Sequence, residues 1–524
     1  MNRIIKFVAA GAVAVGVGWV VLTPKKLEST VTLARVLSTH AARSSFLRYL
    51  VICALALTIT LRRVTGYTTF RKRTFAACFL IVWAAFYRLF VVENARVRFQ
   101  RTFFNIQVAE RAGLATELFK PTPWAFAAPA QTITCLGVSN ITDRFTARQV
   151  VYSREVVKDT FDGNSQFLDW ARFESEEDST EAFTRFHAIR ASSAQQWEAE
   201  AAVSEDFDPA PLILLIHGFG EHRFHPPVMR FARRAKELGW RAVVWSYWRF
   251  DFGETRDLHA VIQHLKRTNP QSPIIAVAWS AGGHLLFRYL EELGEESGLT
   301  CAVMLSPLQD AITAALLTKE NQNKIYSFFL SHMARVAVKR HLMGDKTLDT
   351  ATREKLSQLP VMINDAFELY DRFLYELPGG FSRKQHSSAP YSIRGPTLSH
   401  YRPTNLDIDK LKVPTLVVHA DDDPIVPGHI HDWPDMVRRN RHLLVVTTNR
   451  GGHEGHYDGF IPGGSTWDLR VACRFISAVL ETQAQIRHVE TIVDRKLLTQ
   501  RPDVSMKTTK SHAALGRRDT TIIS

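Results

Sequence analysis

Residues Ile274-Ile275-Ala276-Val277-Ala278 are small or branched, apolar and uninterrupted, and they lead through Trp279 into Ser280-Ala281-Gly282-Gly283-His284. The first five read as a strand buried on both faces. From Ala281 onward, Leu285, Leu286, Tyr289 and Leu290 recur at helical spacing. A strand that turns sharply into a helix at a serine is a nucleophile elbow, in which the turn holds the hydroxyl proud of the sheet. The helix packs so close to the strand there that neighbours two residues either side must be small. Gly282 meets this condition, and Ala278 stands where a glycine is usual, one methyl larger.

The flanking sequence repeats the same rhythm. Leu212-Ile213-Leu214-Leu215-Ile216, Ala242-Val243-Val244-Trp245, Ala302-Val303-Met304-Leu305, Thr415-Leu416-Val417-Val418 and Leu443-Leu444-Val445-Val446 are further continuous apolar runs. Between them, Val228, Phe231, Ala232, Ala235 and Leu238 have helical spacing, and helices are expected over 255–267, 282–293 and 467–480. Strands buried on both faces and joined by helices specify an α/β fold with a mostly parallel sheet. Asp162-Gly163 separates two shorter β patterns, Val151–Val157 and Phe167–Trp170, as the turn of a hairpin. Residues 308–410 break the rhythm with helical patterns through Ile325, Phe328, Phe329, Val336 and Val338, and through Ile363, Phe367 and Tyr370. An insertion at this point, on the side toward which the elbow aims, is placed as a cap. The expected organisation is an anchoring region over 1–92, a junction over 93–149, the first part of the core over 150–307, the helical cap over 308–410, the second part of the core over 411–487, and a basic, disordered tail over 488–524.

The net charge of +13 raises the question of nucleic acid, and its distribution answers it. Residues 1–120 hold 18 Lys/Arg against 4 Asp/Glu, whereas the remainder holds 47 against 48. The basic excess flanks apolar runs at 4–22, 49–61 and 75–92, a pattern that suits anionic lipid surfaces and not nucleic acid. The first run is long enough to span a bilayer, the second is short, and the third contains Arg88. The connector with Arg62-Arg63 and Arg71-Lys72-Arg73 is expected on the cytoplasmic side. The expectation is an integral membrane protein with two or three spanning segments, the endoplasmic reticulum being a plausible site. Cys53, Cys78, Cys135, Cys301 and Cys473 are scattered, with no C-x-x-C spacing, so neither a metal site nor a cofactor nor a disulfide framework is expected.

Two later loops supply partners for Ser280. Ala420-Asp421-Asp422-Asp423-Pro424 follows one apolar run and Gly451-Gly452-His453-Glu454-Gly455-His456 follows the next. Each leaves the carboxyl end of a strand, where open α/β sheets carry their reactive groups. The chain order Ser, Asp, His suits a nucleophile, an orienting carboxylate and a base. His453 between glycines is the expected base, with His456 and His419 as rivals. Asp423 is the expected carboxylate, with Asp422 second. His217-Gly218-Phe219-Gly220 follows the first core strand, and the backbone N–H groups of Phe219 and Ala281 are the expected oxyanion donors.

With these motifs the sequence resembles the AB hydrolase-4 family of α/β-hydrolase-domain proteins, which includes YheT-like and membrane-anchored esterases. The resemblance runs over about residues 120–485. It rests on Pro123-Trp124 with Gln131-Thr132-Ile133, on Arg154-Glu155 with Leu168-Asp169-Trp170, on Thr255-Arg256-Asp257-Leu258, on Asp422-Asp423-Pro424 and on Gly451-Gly452-His453. His217-Gly218-Phe219-Gly220-Glu221-His222 is similar to the oxyanion loop of monoacylglycerol lipases. The resemblance implies the α/β-hydrolase fold and hydrolysis of lipid esters such as acylglycerols. A second reading attaches to His453 and Asp458, whose H-x-x-x-x-D spacing is used by some glycerolipid acyltransferases. A third is a membrane-tethered binding module with the fold and no turnover.

Overall fold

In a computed structural model, the continuous apolar runs become the strands of one sheet. The structure describes residues 83–84, 86–135, 150–158, 166–173, 210–247, 255–308, 331–332, 334–336, 338–339, 342, 349–362, 369, 407–461 and 464–499. In chain order the strands are β1 (Glu93–Asn94), β2 (Arg96–Phe99), β3 (Leu118–Phe119), β4 (Val150–Val157), β5 (Gln166–Phe173), β6 (Leu212–Ile216), β7 (Arg241–Trp245), β8 (Ile274–Trp279), β9 (Cys301–Leu305), β10 (Thr415–Ala420) and β11 (Leu443–Thr448). The helices are α1 (Phe103–Arg111), α2 (Ala128–Ile133), α3 (Pro226–Glu237), α4 (Arg256–Thr268), α5 (Ser280–Leu293), α6 (Thr350–Met362), α7 (Trp433–Arg439) and α8 (Trp467–Thr499).

The nine-stranded sheet has the order β2-β11-β10-β9-β8-β6-β7-β5-β4. Strands β7, β6, β8, β9, β10 and β11 are parallel, while β2 at one edge and β5–β4 at the other are antiparallel. Both faces of the centre are covered, which is why its strands lack polar alternation. Leu214, Ile216, Ala276, Ala278, Met304 and Val417 pack with α4 and α5 on one face. Leu215, Val277, Val303, Leu305, Val418 and Val446 pack with α1, α3 and α8 on the other. Each such fully buried side chain contributes on the order of 1.5–3 kcal/mol relative to exposure. Of 308–410, Ala334, Val338, Leu342, Leu356, Leu359 and Leu369 are buried in the α4/α5 cluster. Most of the segment expected as a cap lies outside the described residues.

The expected hairpin is present as β4–β5, its register running from Val150↔Phe173 to Val157↔Gln166, with the Asp162-Gly163 turn outside the described residues. The Arg154 and Asp169 motif residues are a cross-strand pair, the guanidinium donating two 2.8 Å hydrogen bonds to the carboxylate. Glu155 accepts a bond from Trp170 Nε1 at 2.7 Å. These motif residues fasten the sheet edge.

Two stretches differ from expectation. Within the junction over 93–149, Arg96–Phe99 joins the sheet beside β11, so the sheet begins before residue 150. Its Arg-Val-Arg-Phe alternation suits an edge strand with one wet face. The helix expected to end near 480 runs to Thr499, into the segment read as a disordered tail. Its outer end is solvent-exposed, with Val489 53% and Ile492 40% exposed. Once a helix is anchored by its buried first turns, each added residue gains a hydrogen bond at little nucleation cost, and polar helix formers extend it.

The apolar runs 4–22 and 49–61 lie outside the described residues, as does most of 75–92. The described end of the third is helical, closing in a π-turn over Tyr87–Val91 before extended Val92. Among the described residues no helix is long and apolar enough to cross a membrane.

Candidate active site

Strand β8 ends at Trp279 in extended conformation, and α5 starts at Ser280, whose φ is +47°. A left-handed conformation at a non-glycine residue costs about 1–3 kcal/mol and persists only where packing dictates it. The packing is visible at Gly282. A Cβ there would lie 2.5 Å from the His217 carbonyl oxygen and 2.6 Å from that of Ile216. The helix therefore starts directly against the end of β6, and the His217–Gly220 loop borders the serine. Ala278 is fully buried in the strand, its methyl accommodated in the α5-side core.

The adjoining loops bring the other expected residues to this hydroxyl. His453 Nε2 lies 2.9 Å from Ser280 Oγ, and His453 Nδ1 lies 2.7 Å from Asp423 Oδ2. Asp423 is buried, and its Oδ1 accepts 2.8 Å hydrogen bonds from the N–H groups of Ile425 and Val426. Both carboxylate oxygens are thus directed by the loop. Burial acts to raise the Asp423 carboxyl, but the facing His453, then His419, hold it below the usual carboxylate range. Burial disfavours the charged His453 imidazole. Asp423, and then Glu454 and Glu221, more than offset this and raise it above its ordinary value. The arrangement favours an imidazolium–carboxylate pair, the charge pattern needed once a hydroxyl proton has moved to Nε2.

The rival residues have other partners. Asp422 Oδ1 accepts a 2.9 Å hydrogen bond from Gly452 N–H. Burial, with a further contribution from Asp423, lifts its carboxyl to about 7 against the effect of that bond. His419 Nε2 is 2.9 Å from the Val426 carbonyl, and His456 Nε2 is 3.0 Å from Thr448 Oγ1 with its ring stacked on Trp467. Burial lowers both imidazoles, His456 to about 3, so His456 is a neutral core histidine at ordinary pH. Asp458 is paired with Arg470, whose NH1 lies 3.3 Å from Oδ1 and whose NH2 bonds Oδ2.

Support for the histidine loop comes from residues to which the sequence assigned no role. Thr132 Oγ1 accepts from His453 N–H at 3.0 Å, and Gln131 bridges the Tyr457 backbone by accepting from its N–H at 2.7 Å and donating to its carbonyl at 3.1 Å. Only their place in the lead-in motif marked them. On the opposite side Tyr247 OH donates to the carbonyls of His217 and Gly218, at 2.6 and 2.8 Å, and Glu221 Oε2 accepts from Gly218 N–H at 2.6 Å. These bonds fix the loop expected to carry the Phe219 oxyanion donor. Beside His453, the donor atoms of Cys135, His225 and Glu454 lie within 4.8 Å of one another, close enough to share one cation.

Residues 211–460 match the alpha/beta hydrolase fold family. Among curated proteins, the phospholipase ABHD3 of Bos taurus is 23% identical over 421 residues, spanning 77% of this chain and 89% of that one. The monoacylglycerol lipase ABHD2 of Danio rerio is 22% identical over 296 residues, spanning 52% and 65%. Among solved structures, the esterase Est1E from Butyrivibrio proteoclasticus superposes with a TM-score of 0.33 at 13% identity, covering 64% of this chain and 99% of its own. Residues 211–460, the matched part of the chain, carry strands β6 to β11 and the turn at Ser280, and the chain thereby has the α/β-hydrolase fold.

Proposed function

We propose that the chain is a membrane-anchored serine hydrolase that cleaves carboxylic esters of lipids through an acyl-enzyme. The observation that carries this reading is the hydrogen-bonded line from Asp423 through His453 to Ser280, at a serine with positive φ. His453 Nε2 takes the Ser280 proton as Oγ attacks the ester carbonyl. The oxyanion is held by the backbone N–H groups of Phe219 and Ala281. Collapse releases the alcohol, which leaves with the proton from His453. Water, deprotonated by the same nitrogen, then attacks the acyl-enzyme and releases the acid. No cofactor takes part in these steps. A lipid substrate is supported by the phospholipase and monoacylglycerol-lipase names of the relatives. The apolar segments of 1–92 and the helical cap over 308–410 agree with a substrate drawn from a bilayer.

Acyl transfer to a lipid hydroxyl would use the same serine and histidine and would differ only in the second half-reaction. The pairing of Asp458 with Arg470 favours hydrolysis, since Asp423 already orients His453. With a monoacylglycerol substrate, free fatty acid is expected as the main product, little diverted by added lysolipid, and Asp458→Asn is expected to stay within about threefold of wild type in turnover, provided its loss of the Arg470 pair costs the part-exposed surface only about 1 kcal/mol. Predominant transfer to lysolipid, abolished by Asp458→Asn while esterase activity survives, would select the acyltransferase.

The anchor has its own measurement. Full-length protein is expected to stay with membranes through an alkaline carbonate wash. Its release into the supernatant would remove the spanning segments from this reading.

A further inference from the structure

Four side chains unused by the triad meet in the buried space behind His453. Cys135 follows α2, Glu221 lies in the loop after β6, His225 precedes α3, and Glu454 adjoins His453 in the loop after β11. All are at least nine-tenths buried. His225 Nε2 lies 2.9 Å from Glu454 Oε2 and 3.2 Å from Glu221 Oε1. The Cys135 sulfur falls within 4.8 Å of the His225 and Glu454 donor atoms.

A single imidazole nitrogen carries at most one proton, yet here it faces two buried carboxylates. Among the described residues no N–H group donates to the buried Glu454 Oε1, and the Glu454 carboxyl faces that of Glu221. Two carboxyls buried side by side hold either a shared proton or a cation between them. A tetrahedral ion with bonds of about 2.0 Å to nitrogen and oxygen sets neighbouring ligand atoms about 3.3 Å apart, close to the spacings around His225 Nε2. The donor set, one sulfur, one nitrogen and two carboxylates, discriminates among ions. Ca²⁺ and Mg²⁺ take oxygen ligands, whereas Zn²⁺ accepts thiolate, imidazole and carboxylate together.

We propose that Cys135, His225 and Glu454 form a buried Zn²⁺ site, with Glu221 Oε1, 3.2 Å from His225 Nε2, drawn in as the fourth ligand when the ion binds. Four protein ligands close the coordination sphere, so the site is structural. It ties the loop that carries Gly218 and Phe219 to the loop that carries His453. Glu221 does this with both oxygens, one toward the metal and one accepting from Gly218 N–H. Three anionic ligands and one Zn²⁺ leave a single negative charge, and buried Arg230, bonded to Tyr457 OH at 2.5 Å, supplies a nearby positive one.

The test is metal analysis of the full chain, purified in detergent without chelator and dialysed against zinc-free buffer. About one zinc per folded chain is expected, with thiolate-to-metal charge-transfer absorption after exchange for Co²⁺. Cys135→Ser is expected to lose that absorption, and Glu454→Gln to lose most of the zinc. Should either variant fail to fold, the wild-type zinc content and the other variant decide. A folded wild type without zinc, even after incubation with micromolar Zn²⁺, would overturn the site in favour of carboxyls sharing protons around His225. Zinc retained in full by both folded variants would overturn it equally. Because the readout is bound metal, the outcome is independent of whether Ser280 turns over esters.

Discussion

Ser280→Ala and His453→Ala are each expected to lower kcat for a soluble short-chain ester by about 10⁴- to 10⁶-fold, and the double variant to be scarcely worse than either alone. The non-additivity follows from the geometry. In the proposed mechanism Ser280 Oγ gives its proton to the nitrogen 2.9 Å away, so losing the hydroxyl or the imidazole removes the same step. Labelling by a fluorophosphonate reads this directly, because phosphonylation needs an activated serine and no particular substrate. Wild type is expected to label, Ser280→Ala not at all, and His453→Ala only slowly. Unchanged thermal unfolding of both variants would separate lost chemistry from lost fold. Labelling of Ser280→Ala at the wild-type rate would place the reactive group elsewhere and end the proposed mechanism.

What the sequence made legible follows from where solvent lies. The central strands announced themselves because both faces are covered, so Leu212–Ile216 and Ile274–Ala278 carry no polar residue to obscure them. The elbow was legible because Gly282 must pack against two carbonyl oxygens, a constraint written into one residue type. The edge strand β2 was not, since two of its four residues are arginines and its place depends on β11, hundreds of residues away. The end of α8 was misread for a different reason. Polar, basic composition describes a solvated helix as well as a solvated coil, and only the anchored first turns decide between them.

Within the site, residue type and loop position pointed to His453, but only the partners each ring finds in the fold separate it from His419 and His456, whose rings are fixed by Val426 and by Thr448 and Trp467. The Cys135–His225–Glu454 cluster left no trace in the sequence. Metal-site spacing rules find ligands carried by one short segment, and these arrive from separate elements joined only by the tertiary fold.

The three consecutive aspartates are the hardest choice the sequence posed, and substitution is expected to separate them sharply. Asp423→Asn should lower kcat by about 10⁴-fold with the fold intact, because an amide at this position favours the wrong imidazole tautomer and no longer stabilises the imidazolium. The amide oxygen still accepts the Ile425 and Val426 N–H bonds, so the loop is expected to keep its shape. Asp422→Asn is expected to cost about tenfold or less. Its carboxyl titrates at about 7 and is therefore partly neutral already, and its one bond in the site, from Gly452 N–H, survives with an amide acceptor. Burying a neutral amide there also removes a like charge beside Asp423, which offsets part of any loss. Kinetics at saturating ester and fluorophosphonate labelling rates give the comparison, and the two should agree because both report activation of Ser280. A larger loss in Asp422→Asn than in Asp423→Asn, with both variants folded, would transfer the orienting role to Asp422 and require the Asp423–His453 contact to be broken in the working enzyme.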